Sequence, residues 1–172
     1  MIELISLRIA RVIHTANVEE TEDVETLQYY LSIYLTSVLI VFFTLGIGYI
    51  TGTFYLTLLG LFSFWLLRKV SGGLHLTSLT GCVFFSTLLL SSLPHLSLGK
   101  IILELNIISL IIVILFSPNF HTISISNKRK KTYKFIAIII VFVSMLLNIE
   151  VITKAIFIQA VTLLSFRREG FE

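Results

Sequence analysis

Six apolar segments, at roughly 32–50, 53–67, 76–98, 100–116, 133–149 and 151–166, leave this chain of 172 residues little sequence with which to make a water-facing surface. Short polar breaks separate them, and their lengths of 15 to 23 residues bracket the roughly 20 that a straight helix needs to cross a bilayer. The shorter ones imply local thinning, interfacial ends or a re-entrant path. With 56% hydrophobic residues, 13% charged residues and a mean hydropathy of +0.97, an ordinary soluble domain is excluded. The expected fold is all-α: a polytopic integral membrane protein of about six transmembrane or membrane-embedded helices.

Charge orients the segments. Placing the N-terminus inside makes Arg8, Arg11, Arg68, Lys69, Lys128, Arg129, Lys130, Lys131, Lys134, Arg167 and Arg168 cytoplasmic and leaves only Lys100 and Lys154 outside. Both termini are therefore expected on the cytoplasmic side of the membrane, with the lipid bilayer as one partner of the chain. Basic residues alternating with apolar segments, at a net charge of only +3, argue against a nucleic-acid footprint.

The N-terminal region, 1–31, reads as two amphipathic helices. Ile2, Ile5, Ile9, Val12 and Ile13 form one apolar stripe, expected to lie on a membrane or on neighbouring helices. Asn17 and Glu20 have the capping-box spacing for a second helix, which Val24, Leu27, Leu31 and Tyr34 carry into the first span. Met1 to His14 lacks the basic, apolar and small-residue order of a cleavable signal peptide. Residues 1–172 are expected to form one membrane domain: four spans over 32–116, a basic cytoplasmic loop over 117–134, and two further spans with a tail over 135–172.

The stretch from Arg68 to Cys82, RKVSGGLHLTSLTGC, gathers a basic pair, a glycine pair, a histidine and the single cysteine between two apolar segments. Polar residues at the membrane edge are costly to keep, which makes them the first candidates for chemistry. Cys82 is a candidate nucleophile and His75 its base, since imidazole titrates near neutrality and activates a thiol; Arg68 and Lys69 add positive potential that favours thiolate. Seven positions are two turns of a continuous helix, on the order of 10 Å along the axis and too far for proton transfer. The chain between them must bend or close on substrate, and Gly72, Gly73 and Gly81 are placed to allow it. By spacing alone the same residues also suit a turn, close helix packing and core filling. The four histidines show no paired ligand spacing, so neither metal nor cofactor is expected.

The order Arg68, six residues, His75, six residues, Cys82, with Gly72-Gly73 just before the histidine and apolar spans on both sides, resembles the accessory gene regulator B (AgrB) family of bacterial quorum-sensing systems. Phe116-Ser117-Pro118 resembles the opening of that family's basic loop, and the stretch Gln159 to Leu164 resembles its last span. The chain departs from the family pattern at Tyr30 and Ser32, where many members carry Gly and Glu, and after Pro118, where an Asp and a second proline are missing.

The resemblance implies a cysteine endopeptidase acting on an AgrD-like precursor peptide. Carried over to this chain, Cys82 attacks the carbonyl at the C-terminal side of the future signal and His75 acts as base and then acid. An internal thiol or hydroxyl of the precursor then displaces the enzyme thiol and closes a thiolactone or lactone. Arg68, Lys69, Gly72 and Gly73 would support the centre, and Lys128, Arg129, Lys130 and Lys131 would meet either anionic lipid or an acidic part of the substrate. Glu25 and Asn119 are topologically open as orienters of His75. Gly46, Gly48 and the Ser/Thr positions of the first spans allow close helix contacts, a homodimer among them. The rival from another class is a small membrane transporter or peptide-export component in which these residues serve packing.

Overall fold

The structure, a computed structural model, describes residues 2–16, 22–73, 78–97, 99, 101–119 and 126–164. Among these residues it is all-helical, with seven α-helices: α1 (Ile2–Ala16), α2 (Val24–Ile50), α3 (Phe54–Ser71), α4 (Leu79–Ser92), α5 (Ile102–Phe116), α6 (Asn127–Leu147) and α7 (Glu150–Thr162).

Helix α2 starts where Asp23 accepts a hydrogen bond from the Thr26 N–H at 3.2 Å. Expected caps at Asn17 and Glu20 lie outside the described residues. From Val24 the helix runs unbroken for 27 residues, about 40 Å, so the second amphipathic segment and the first span are one rod. It ends in a Schellman turn: Gly52 takes φ +71°, the Thr53 N–H bonds the Gly48 carbonyl at 2.8 Å, and the Gly52 N–H bonds the Tyr49 carbonyl at 3.2 Å. Helix α3 returns against α2 so closely at Gly48 that a Cβ there would sit 2.6 Å from Thr57 Oγ1, while Gly46 faces open space.

Helices α2 and α3 are the two described helices long and apolar enough to cross a membrane. The remaining helices are shorter or more charged, as the expectation of thinning, interfacial ends or a re-entrant path allows. Helices α4, α5 and α7 have 14, 15 and 13 residues, about 20 to 23 Å each. In α4 the apolar segment closes early, in a 3-10 turn over Leu93–His95 that contains Pro94. Helix α6 has 21 residues but opens on five cations within its first eight positions.

Helix α7 occupies the centre. Val151 to Ile156, Gln159 and Ala160 are all buried, and Ile152, Ile156 and Ala160 join Leu67 of α3, Val113 of α5 and Val141 of α6 in one core cluster. A second cluster joins Leu61, Leu90, Leu93 and Ala155. Lys154, expected among the outward charges, is buried: it donates to the Leu96 carbonyl and pairs with Glu150 at 3.5 Å. Outside this core, Phe42, Phe84, Leu115, Phe135 and Leu146 stand exposed, which suits hydrocarbon and not water.

Helix α1 packs on α2 through Ile2, Ser6 and Ala10, leaving Ile5, Ile9, Val12 and Ile13 of the expected apolar stripe on the outside. Gln28 of α2 reaches back to the Glu3 carbonyl at 3.4 Å.

Candidate functional site

Helix α3 carries its basic pair in its last turn, where cations complement the negative end of the helix. Lys69 lies over the Trp65 ring at 4.8 Å, and the Arg68 guanidinium lies 5.8 Å from the centre of the Phe64 ring. The helix stops at the glycine pair. Gly72, at φ +74°, donates its N–H to the Arg68 carbonyl at 2.9 Å, and Gly73 continues at φ +140°; L side chains rarely adopt either conformation. The chain thus leaves the helix axis at this pair.

Ser78 restarts the chain. It is extended, and its hydroxyl caps α4 by accepting the Gly81 N–H at 3.2 Å. Because Ser78 is extended, the helix bearing Cys82 begins only at Leu79. Gly81 is an ordinary helical position. Cys82 falls in the first turn of α4, a free thiol only 8% exposed, with Sγ 3.9 Å from Ser86 Oγ one turn on. His75 lies outside the described residues, between the Gly73 and Ser78 anchors.

Cys82 and Arg68 line one groove of about 980 Å³ between α2, α3 and α4, with Ile158 and Thr162 of α7 in its wall. The groove is otherwise mostly apolar; Arg68, Cys82 and Ser86 are among the few polar groups that interrupt it. Lys69 is exposed and engaged with Trp65, and it is not among the groove's lining residues.

The glycine turn is held from behind. Asn119, just after the Ser117-Pro118 pair, donates its backbone N–H to the Ser71 carbonyl at 2.8 Å and pairs with Gly72 as an isolated bridge. Of the two suggested orienters, Asn119 thus lies beside the turn, whereas Glu25 is exposed at the start of α2. A residue that sequence analysis left without a role holds the same turn: Gln159 of α7 donates to the Gly72 carbonyl at 2.7 Å and to Ser71 Oγ at 3.2 Å. Its sequence signals are an amide inside an apolar run and its place at the head of the stretch Gln159 to Leu164.

Lys128, Arg129, Lys130 and Lys131 stand exposed at the start of α6, where Ser126 provides no side-chain cap. Cations at the positive end of a helix weaken it, so helix stability does not account for them. They are available to anions in solution or at a lipid surface. Among the described residues no three His, Cys, Asp or Glu side chains come together to hold a metal ion.

A family model described as accessory gene regulator B matches residues 6–167. An AgrB-like protein of Halalkalibacterium halodurans is 23% identical over 171 residues, covering 95% of this chain and 87% of the relative. No solved structure matches the chain.

Proposed function

Because the chain belongs to the accessory gene regulator B family, which works with an AgrD propeptide in processing and exporting autoinducing peptides, we propose that it is the membrane cysteine endopeptidase of such a system. The observation that carries this reading is the placement of its single thiol. Cys82 lies at the start of a helix, in the wall of a groove that Arg68 also lines and that is large enough for several residues of a peptide.

In this reading His75 removes the Cys82 proton, and Sγ attacks the carbonyl at the C-terminal end of the signal. The C–S bond forms as the C–N bond breaks, and His75 returns its proton to the departing amine. The product is a thioester on Cys82. A thiol or hydroxyl within the retained part of the precursor then attacks that carbonyl, the enzyme thiol leaves with its proton restored, and a cyclic thiolactone or lactone results. Exchange of one thioester for another needs little free energy, which suits a cysteine to this task better than a serine. Arg68 supplies positive charge to the groove that the thiol lines, the Gly72-Gly73 turn sets the start of the segment bearing His75, and Lys128 to Lys131 meet an acidic part of the precursor or anionic lipid. The chain spans the bacterial membrane several times as one domain, with both termini and the site on the cytoplasmic side.

The test is co-expression with an AgrD-like precursor peptide, following the peptide's mass with wild type, Cys82→Ala and His75→Ala. Release of a C-terminal fragment by wild type only is the expected result. A precursor left whole by all three, with membrane insertion confirmed, overturns the peptidase reading in favour of transport. A reporter fused after Arg168 is expected to be active only in the cytoplasm; external activity would overturn the topology.

A further inference from the structure

Gln159 is completely buried on the helix at the centre of the molecule, at a position where leucine would be cheaper to bury. Both halves of its amide are engaged, and the hydrogen bonds described for them all reach the end of α3. The Nε2 group donates to the Gly72 carbonyl at 2.7 Å and to Ser71 Oγ at 3.2 Å, matching its two protons to two acceptors. Oε1 accepts from Arg68 Nη1 at 3.5 Å. The turn fits so closely around this amide that a Cβ on Gly73 would lie 3.0 Å from Nε2 and 2.8 Å from Thr162 Oγ1. Thr162 in turn donates to the Gln159 carbonyl at 2.7 Å. Gln159 therefore touches Arg68, which shares the groove with Cys82, and Ser71 and Gly72, which precede the segment bearing His75.

We infer that Gln159 is a positioning residue for the Cys82 centre: it fixes the Arg68 side chain and locks the Ser71–Gly73 turn from which the chain departs toward His75. Its consequence for cleavage rests on the peptidase reading, whereas the lock stands on geometry. A helix that only filled space would need no amide here. An amide bonded to a backbone carbonyl holds a turn that has no regular ladder of its own.

The experiment uses the full chain in lipid nanodiscs, with Gln159→Leu, which keeps the volume and removes every polar contact of the amide, and Gln159→Glu, which keeps an acceptor for Arg68 and, as the carboxylate paired with that guanidinium, has no proton to donate to Gly72. Both are expected to lower kcat for precursor cleavage roughly tenfold or more while KM stays within about twofold, because the groove is unchanged and its reacting groups are misplaced. In parallel, amide exchange at Gly72 and Asn119 is expected to accelerate roughly tenfold in both variants, with exchange around Asn106 unaltered. Wild-type kcat in Gln159→Leu, or a loss carried entirely by KM, overturns the catalytic part. Unchanged exchange at Gly72 and Asn119 overturns the lock itself. If wild type fails to cut at all, the peptidase reading fails, and the exchange result still decides the lock. Should the leucine variant not insert, the glutamate variant carries both measurements.

Discussion

Helix α7 contributes to two buried polar clusters, and the two differ in what they hold. Thr153 accepts a hydrogen bond from Asn106 Nδ2 of α5 at 3.1 Å, and Asn106 Oδ1 accepts one from Ser144 of α6, also at 3.1 Å. Both of these bonds run from side chain to side chain between regular helices, and all three residues are buried. Six positions further on, Gln159 directs its amide to a backbone carbonyl, a serine and an arginine at a glycine turn. The first cluster sets how three helices lie against each other. The second adds side-chain bonds to a glycine turn at the end of α3, next to the groove that Arg68 and Cys82 line. Polar burial alone does not separate fold from function; the kind of group at the other end of the bond does.

The contrast breaks most visibly at Asn106. Replacing it with alanine leaves the Ser144 hydroxyl without its acceptor and Thr153 Oγ1 without its donor, so stability in detergent or nanodiscs is expected to fall by about 1–3 kcal/mol. Cleavage per folded molecule is expected to stay near wild type, the reverse of Gln159→Leu. Thermal unfolding of the two variants beside their specific activity checks this. A selective loss of kcat in Asn106→Ala would show that the first cluster also serves the site.

Local pattern reveals the two clusters unequally. The glycine turn was legible because Gly72 and Gly73 announce backbone freedom wherever they occur together, and the basic pair, the thiol and their closeness along the chain marked the same stretch. Gln159 was not. Its hydrogen-bonding partners lie 87 to 91 residues away, and nothing in an apolar run tells which neighbour its amide will face. The apolar segment over 151–166 did not show which of its faces meet protein: Val151 to Ile156, Gln159 and Ala160 of α7 are all buried. At α1 the stripe Ile2, Ile5, Ile9, Val12 and Ile13 marked a real apolar face, but the helix packs through Ser6 and Ala10. Close approach favours small residues, and a bilayer removes the penalty on exposed isoleucine. Lys154 carried a usable hint, since Glu150 lies one turn before it and pairs with it.

A finer test asks whether the two clusters are energetically separate. Thr153 and Gln159 are six residues apart on α7, about 9 Å along its axis. Buried Ala155 and Ile156 lie between them, and the hydrogen bonds described for the two clusters have no partner in common. The stability losses of Asn106→Ala and Gln159→Leu are expected to add within about 0.5 kcal/mol in the double variant. A larger interaction energy would mean that α7 shifts as a unit and that helix packing and the turn are one device.

The smallest expected effect lies at the opposite extreme from both clusters, at the exposed cap of α2. The Asp23 carboxyl is held below its ordinary value of 3.8, first by its side-chain hydrogen bond with Thr26 and then by the Thr26 backbone N–H, which donates to it. A lowered folded-state value means that the unfolded chain takes up the proton first as pH falls. The cap therefore stabilises α2 fully above 3.8, and that stabilisation is lost as pH drops through the folded value. Amide exchange at Thr26 is expected to be protected well above 3.8 and to lose protection below it in wild type. Asp23→Ala, with no carboxylate to cap the helix, is expected to exchange faster in the upper range and to show no such step. Parallel profiles for the two would show that the cap contributes nothing to holding the first turn. Water already offers Thr26 an alternative partner at that surface, which is why this loss is expected to be small beside the loss of Asn106, whose partners have none.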